Sequence, residues 1–443
     1  MRFPVSAPVS VDSPGHVLVV GLGYMPLLHV SATRATYMSR TLATLGWEVS
    51  VLTVDWTYPL PQTVISPAGS VERALEQNNP RAVAIDGRLS NPSFDPRATR
   101  PDTEPPSPRW VPLRRLRTLR NTLSLGPYPK WAHNALLAAR ELHKQRPVDV
   151  IWAIHGDDSC HAIAHQLHRE FGIPWVADFK DAWSRFHKPV ALPVQRFATN
   201  RRLRTACALT EACEAQAERD RIEFKQTAHL VYSGYDRELM SEVTPEKPGD
   251  SFAISYLGSI GFAHDVSLLG ETFAALRARA GFENLGIRAH QFSAFPQLKE
   301  QLKPVGCASL VESHERVSLA RSFSLMRGSD LLLLLPHTAR DFKQVGLKEI
   351  EYVASGTPIL VLGQPLQEFS SLFEESHQVC IALDAEQAAD FIESEARQVM
   401  TTGRSARRVE ANGSRLDAFT WPHQGRRLSE ILSTFTRPWK PSN

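Results

Sequence analysis

Short apolar runs alternate with amphipathic stretches along most of the chain, and that alternation predicts an α/β protein. Residues 16–20 (HVLVV) read as a buried strand ending in the turn Gly21-Leu22-Gly23. Residues 33–45 carry a helical pattern that stops at Gly46, a natural C-terminal cap. Residues 48–54 (EVSVLTV) are β-branched and read as the next strand. Strand, helix and strand in so short a span form a βαβ unit, which requires parallel pairing. The pattern resumes with helices over 131–145 and 160–171 and strands over 149–154, 174–178, 206–210 and 229–232. A polar, Pro-containing segment, 242–251, reads as an interdomain linker. The alternation then restarts, with strands over 254–257, 286–292, 310–311, 330–335 and 358–362. Helices are predicted over 268–280, 347–354 and 386–401. Residues 330–335 (DLLLLL) form an apolar run of the kind a parallel sheet buries on both faces.

The expected organisation is a first domain over 1–241, a second over 252–420, and a terminal helix and tail over 421–443. A length of 443 residues suits two cores rather than one. Both halves read as doubly wound sheets, whose ligands bind beyond the carboxyl ends of the strands, so two facing halves make a cleft. The first domain carries an insertion, 57–127. Its Pro-, Ser-, Asn- and Arg-rich part reads as a long irregular loop. Residues 113–125 (LRRLRTLRNTLSL) interleave Arg with Leu. They read either as an amphipathic helix with a solvated basic face or as an attachment to an anionic inner-membrane surface.

Composition narrows the function classes. The chain is 42% hydrophobic and 22% charged with net charge +3, which does not suggest a nucleic-acid partner. No apolar run approaches the ~20 residues of a membrane span, and the opening MRFPVSAPVSVDSPG lacks the apolar core of a secretory leader. Five scattered cysteines, without zinc spacing, read as free thiols of a reducing compartment. Together these predict a cytoplasmic protein, peripheral on the membrane if 113–125 attach.

Several strand ends carry candidate chemistry. Gly21-x-Gly23-x-x-Pro26 starts like a dinucleotide fingerprint, but Pro26 replaces the glycine that permits close helix–strand packing, which argues against a nicotinamide site. His155 and Asp157-Asp158 follow one strand, and Asp178-Phe179-Lys180-Asp181 follow the next. His161, His165 and His168 share one helical face, which reads as a solvated face rather than a zinc site. Gly346 opens a helix whose free N–H groups suit a diphosphate, and Glu351, one turn on, can accept hydrogen bonds from ribose hydroxyls.

Five segments in order resemble bacterial family 4 glycosyltransferases. GIPWVADFKDAW is similar to the family's GIPWVADFRDPW, and GLKEIEYVASGTPILVLG to its KLFEYLAAGKPILALG. VLVVGLGYMP with LGWEVSVLTVDW resembles the opening βαβ unit, VYSGYD the IPNGYD that closes the first domain, and ISYLGSI the opening of the second. FTWPHQGRRLSEILSTF resembles the final helix that crosses back to the first domain. The resemblance implies a GT-B fold of two facing Rossmann-like domains. It implies retaining transfer from a nucleotide-diphosphate sugar to a glycan, lipid-linked or small-molecule acceptor, in polysaccharide or glycoconjugate synthesis. Neither metal nor cofactor is implied, the nucleotide-sugar being a substrate. By position Glu351 would bind the donor ribose, and Gly258, Ser259, Gly346 and Leu347 would lie near the diphosphate. His155 would lie near the transferred sugar, with Asp178 and Asp181 lining the cleft from the first domain. Gly23, His29 and Ser31 would stand on the acceptor side.

Three departures from the family pattern matter. Gln344 stands where the family has the first of two glutamates, and His29-Val30-Ser31 replace the glycine pair of the acceptor loop. The Arg and Lys that balance the diphosphate are missing from GSIGFAHD, and Lys343 or Lys348 would have to substitute. These departures leave a second reading open, a GT-B protein without catalysis that serves as a partner or scaffold.

Overall fold

The computed structural model describes residues 14–25, 30–54, 123–126, 128–156, 158–181, 192–260, 264–293, 296–336, 346–365, 379–403 and 414–436. They divide into two compact units, one of residues 1–232 and 424–443, the other of residues 233–423. The division falls between Tyr232 and Ser233, ahead of the polar segment 242–251.

In the first unit β1 (His16–Val20) leads into α1 (Val30–Thr44) and β2 (Glu48–Leu52). After α2 (Pro129–Gln145) come β3 (Val150–Ile154), α3 (Asp158–Phe171), β4 (Trp175–Phe179) and α4 (Leu192–Leu203). The unit's sheet ends with β5 (Ala208–Glu211), α5 (Glu214–Phe224) and β6 (Ala228–Leu230). All neighbours are parallel in the order β2-β1-β3-β4-β5-β6. Every residue of β1, β2, β3 and β4 is buried, as expected of strands covered by helices on both faces. Gly46 takes a φ of 89° just after α1, a conformation that an L side chain resists.

The second unit begins with α6 (Arg237–Glu242), capped by the Asp236 carboxylate on the Leu239 N–H. Then follow β7 (Phe252–Leu257), α7 (Ser267–Ala278), β8 (Ile287–Phe292), β9 (Val311–His314), α8 (Leu319–Gly328) and β10 (Leu331–Leu334). The unit closes with α9 (Leu347–Ser355), β11 (Ile359–Leu362), β12 (Val379–Ala382) and α10 (Ala385–Thr402). This sheet is also parallel, in the order β12-β11-β10-β7-β8-β9. Phe252, Ile254, Tyr256, Leu331, Leu333 and Leu360 join Leu269, Phe273 and Leu276 of α7 in its core.

The last helix, α11 (Trp421–Ser433), belongs from Gln424 onward to the first unit. There Trp47 Nε1 donates to Ser429 Oγ at 2.8 Å, and the Tyr232 N–H donates to Gln424 Oε1 at 2.8 Å. Gly425 lies so close to Thr41 that a Cβ would collide with it. Tyr235 pairs with Thr420, so the chain enters and leaves the second unit side by side.

Candidate functional site

Strand order reverses once in each sheet, between β1 and β3 in the first unit and between β7 and β10 in the second. Open α/β sheets bind ligands at such reversals, beyond the carboxyl ends of the strands.

At the second unit's reversal, β7 ends in Gly258, whose φ of 141° is a glycine conformation. A Cβ there would sit 2.6 Å from both Cε and Nζ of Lys348, in the first turn of α9. The turn after β7 and the start of α9 therefore meet through the lysine. Half-buried Lys348 donates to the Tyr256 hydroxyl at 2.9 Å, with Nζ 4.2 Å from the centre of that ring. Tyr352 completes the frame, its hydroxyl accepting from the Leu257 N–H at 3.0 Å. Ser259 Oγ lies 2.9 Å from Ser293 Oγ, and Gln291 Nε2 donates to the Gly258 carbonyl at 3.2 Å.

Two acids stand on the same helix. Glu351 is buried, and among the described residues no hydrogen bond reaches its carboxyl group. Burial pushes its pKa up to about 8; Lys348 pulls against that shift, and Glu349 adds to it. Glu349 folds back on the helix start, close enough that a Cβ on Gly346 would collide with its carboxylate. Burial raises it to about 7, opposed by the backbone N–H groups of Glu349 and Gly346 and by Lys348. Burial also lowers the Lys348 pKa.

At the first unit's reversal, β1 runs into Gly21-Leu22-Gly23 and β3 into His155-Gly156. The two turns touch, because a Cβ on Gly156 would meet Leu22 at 3.6 Å. His155 is buried between His161 and Phe179, ring centroids 5.2 and 5.1 Å away, with Nε2 3.8 Å from Asp158. Asp181 lies 3.3 Å from Lys180, and both are buried.

No family model matches the chain, and no curated protein sequence matches it. Solved structures do. Sucrose-phosphate synthase from Thermosynechococcus elongatus superposes with a TM-score of 0.60 at 14% identity, covering 94% of this chain and 98% of that one. Anabaena HepE, solved in complex with UDP and glucose, gives 0.59 at 12% identity over 95% and 100%. A UDP-N-acetylglucosamine 2-epimerase from Listeria monocytogenes gives 0.53 at 14% over 95% and 96%. The fold is GT-B.

Within this GT-B fold, Gly258, Ser259, Gly346, Leu347, Lys348 and Glu351 all gather in the second unit, at the end of β7 and in the first turns of α9. Gly23, His155 and Asp181 follow β1, β3 and β4 of the first unit. Ser31 falls in α1, while Lys343, Gln344 and His29 lie outside the described residues, as do 57–122. Of the stretch 113–125 only Leu123, Ser124 and Leu125 are described, and no described helix is long and apolar enough to cross a membrane.

Two expectations are corrected. Asp178 has no exposed surface and is paired inside the first unit. Its carboxylate takes two bonds from Arg34, at 2.7 and 3.0 Å, and one from Thr210 at 2.7 Å. Arg34 is equally buried and also donates to the Val231 carbonyl at 2.9 Å, so the pair ties α1, β4 and the end of the sheet together. The histidine face of α3 is solvated only in part, His161 being buried and His165 and His168 half-buried. His161 Nε2 bonds the Ala153 carbonyl at 3.1 Å, His165 Nδ1 the Thr205 hydroxyl at 2.9 Å, and His168 Nδ1 the Ile173 carbonyl at 2.9 Å. Burial takes the His161 pKa down to about 3 and that of His165 to about 4.

The sequence reading missed Arg34, Tyr256, Tyr352 and Glu349 as parts of these sites. Lys348 and Tyr352 stand four residues apart on one helix face, a spacing that could have linked them. Nothing in the sequence pairs Arg34 with Asp178.

Proposed function

We propose that the protein is a glycosyltransferase that binds a nucleoside-diphosphate sugar at the end of β7 and the start of α9. The observation that supports this most is the contact of Gly258 with Lys348, one helical turn before Glu351, at the second unit's strand-order reversal. Gly258 leaves room for the Lys348 side chain to lie against the end of β7. Lys348 supplies the cation that the sequence lacks after β7, and the free N–H groups of α9 add about half a positive charge. Glu351 accepts the ribose hydroxyls. As the sugar bond breaks, Lys348 and the helix start stabilise the leaving diphosphate, so that no metal clamp is needed. Retention of configuration, a hexose donor, an acceptor in polysaccharide or glycoconjugate synthesis, and a cytoplasmic, membrane-peripheral setting follow from the family resemblance. HepE, of the same fold, was solved with UDP-glucose, which makes that donor the first to try.

One observation favours a second reading, a GT-B partner protein without catalysis. Glu349 occupies the helix start where the diphosphate would sit. Calorimetric titration with UDP and UDP-glucose decides between the two. The transferase reading expects binding that Lys348→Ala weakens by about tenfold or more, the scale of a lost charge-assisted hydrogen bond. No heat with either ligand at millimolar concentration would leave the partner reading standing.

A further inference from the structure

A second cluster of ligating groups lies on the same unit's sheet, on β8 and β9, the two strands beyond β7, and no part of the donor reading uses it. His290 sits in β8, and Glu312 and His314 in the edge strand β9. Parallel register sets His290 beside Glu312 and Phe292 beside His314. Side chains alternate along a strand, so all three ligands project from one face. His290 Nδ1 is 3.1 Å from His314 Nε2 and 3.5 Å from a Glu312 carboxylate oxygen, and that oxygen is 4.0 Å from His314 Nε2. The point equidistant from those three atoms lies about 2.1 Å from each, which is the bond length of zinc to imidazole nitrogen and carboxylate oxygen.

We propose that His290, Glu312 and His314 bind a divalent first-row transition-metal ion, with zinc the type ion, at the edge of the second unit's sheet. Two imidazoles and a carboxylate are a common donor set for such ions and leave a coordination position for water. The Phe292 ring stacks on His314 with centroids 4.5 Å apart, which holds one ligand in place. Exposed Glu312 leaves the site open to an entering ion.

The inference does not rest on the donor site, and its test does not use activity. Protein stripped by chelator is dialysed against micromolar zinc, and bound metal is measured together with the thermal midpoint. The wild type is expected to retain one zinc per chain and to gain roughly 5 °C in Tm at saturating metal, by preferential binding to the native state. His314→Ala and Glu312→Gln, both at the half-exposed or exposed edge, are each expected to weaken retention at least about tenfold and to abolish that gain. Circular dichroism shows that each variant folds. Binding to cysteines or other histidines elsewhere would persist in both variants. Zinc retention equal to wild type in folded variants overturns the proposal, as does a wild type that retains none.

Discussion

Glu351 offers the sharpest test of the donor site, because its ionisation and its proposed role pull in opposite directions. With its pKa raised to about 8 by burial, the free protein holds this carboxyl mostly protonated at neutral pH. A carboxylate that accepts two ribose hydroxyls must be ionised. Binding at pH 7 therefore includes the cost of removing that proton, about 1.4 kcal/mol for one pKa unit. At pH 9 the cost is nearly gone. Affinity for UDP-glucose should rise roughly tenfold from pH 7 to pH 9. Glu349, at about 7, titrates in the same window. The measurement therefore belongs in a Glu349→Gln background, by isothermal calorimetry in two buffers so that proton release is counted. Adding Glu351→Gln should flatten the profile and lower affinity at pH 9 by about 1.5–3 kcal/mol, the worth of hydrogen bonds to a charged group. An affinity that falls above pH 8 would mean that Glu351 binds as the neutral acid, donating a proton. A profile unchanged by Glu351→Gln would remove the residue from the site altogether.

Other outcomes follow from the same geometry. Both acids of α9 have pKa values raised by burial, so their contribution to stability is complete below about 4.5, the ordinary glutamate value, and is lost as pH rises through about 7 and 8. The second unit's Tm should fall over that range, and Glu351→Gln should reduce the fall. Gly258→Ala forces a side chain into a glycine-only conformation against Lys348, at a cost of about 1–3 kcal/mol, read as a lower Tm together with weaker UDP binding. Asp178→Ala leaves Arg34 buried and unpaired, with a loss of about 3–5 kcal/mol in denaturant titration, whereas replacing both residues with apolar ones should recover much of it.

The alternation of apolar and polar runs carried most of the architecture, because parallel strands buried on both faces must be continuous apolar segments. HVLVV, VIWAI and ILVL were legible on that ground, to within a residue or two at each end. What failed was short or mixed. VCIA at 379–382, the edge strand of the second sheet, has only four residues, and LARSFSLMRG at 319–328 forms a helix whose apolar positions are interrupted by Arg and Ser. In the site, the helix start at Gly346 and the turn at Gly258 could be read because each lies where a strand or loop meets a helix. Their joining by Lys348 could not, since Gly258 and Lys348 are far apart in sequence. Asp178 shows the opposite error. A carboxylate at a strand end reads as a ligand, yet a buried arginine on another element, invisible to local pattern, makes it part of the core.

Glu349 decides how the start of α9 is used. Its carboxylate lies against the backbone N–H groups of Gly346 and of Glu349 itself, the place proposed above for a diphosphate oxygen. One of its oxygens is sealed from solvent without a hydrogen-bond partner among the described residues, so the fit is imperfect. Two anions at one half-buried helix start repel each other strongly. Binding a diphosphate therefore requires Glu349 to move out or take up a proton. With its pKa at about 7, protonation is cheap at pH 6 and costs about 1.4 kcal/mol at pH 8. Glu349→Gln should accordingly bind UDP roughly tenfold more tightly than wild type at pH 8 and about equally at pH 6. Calorimetry at the two pH values measures both. If the variant binds more weakly at pH 8, the carboxylate contributes to the ligand rather than competing with it, and the helix start is not the diphosphate site.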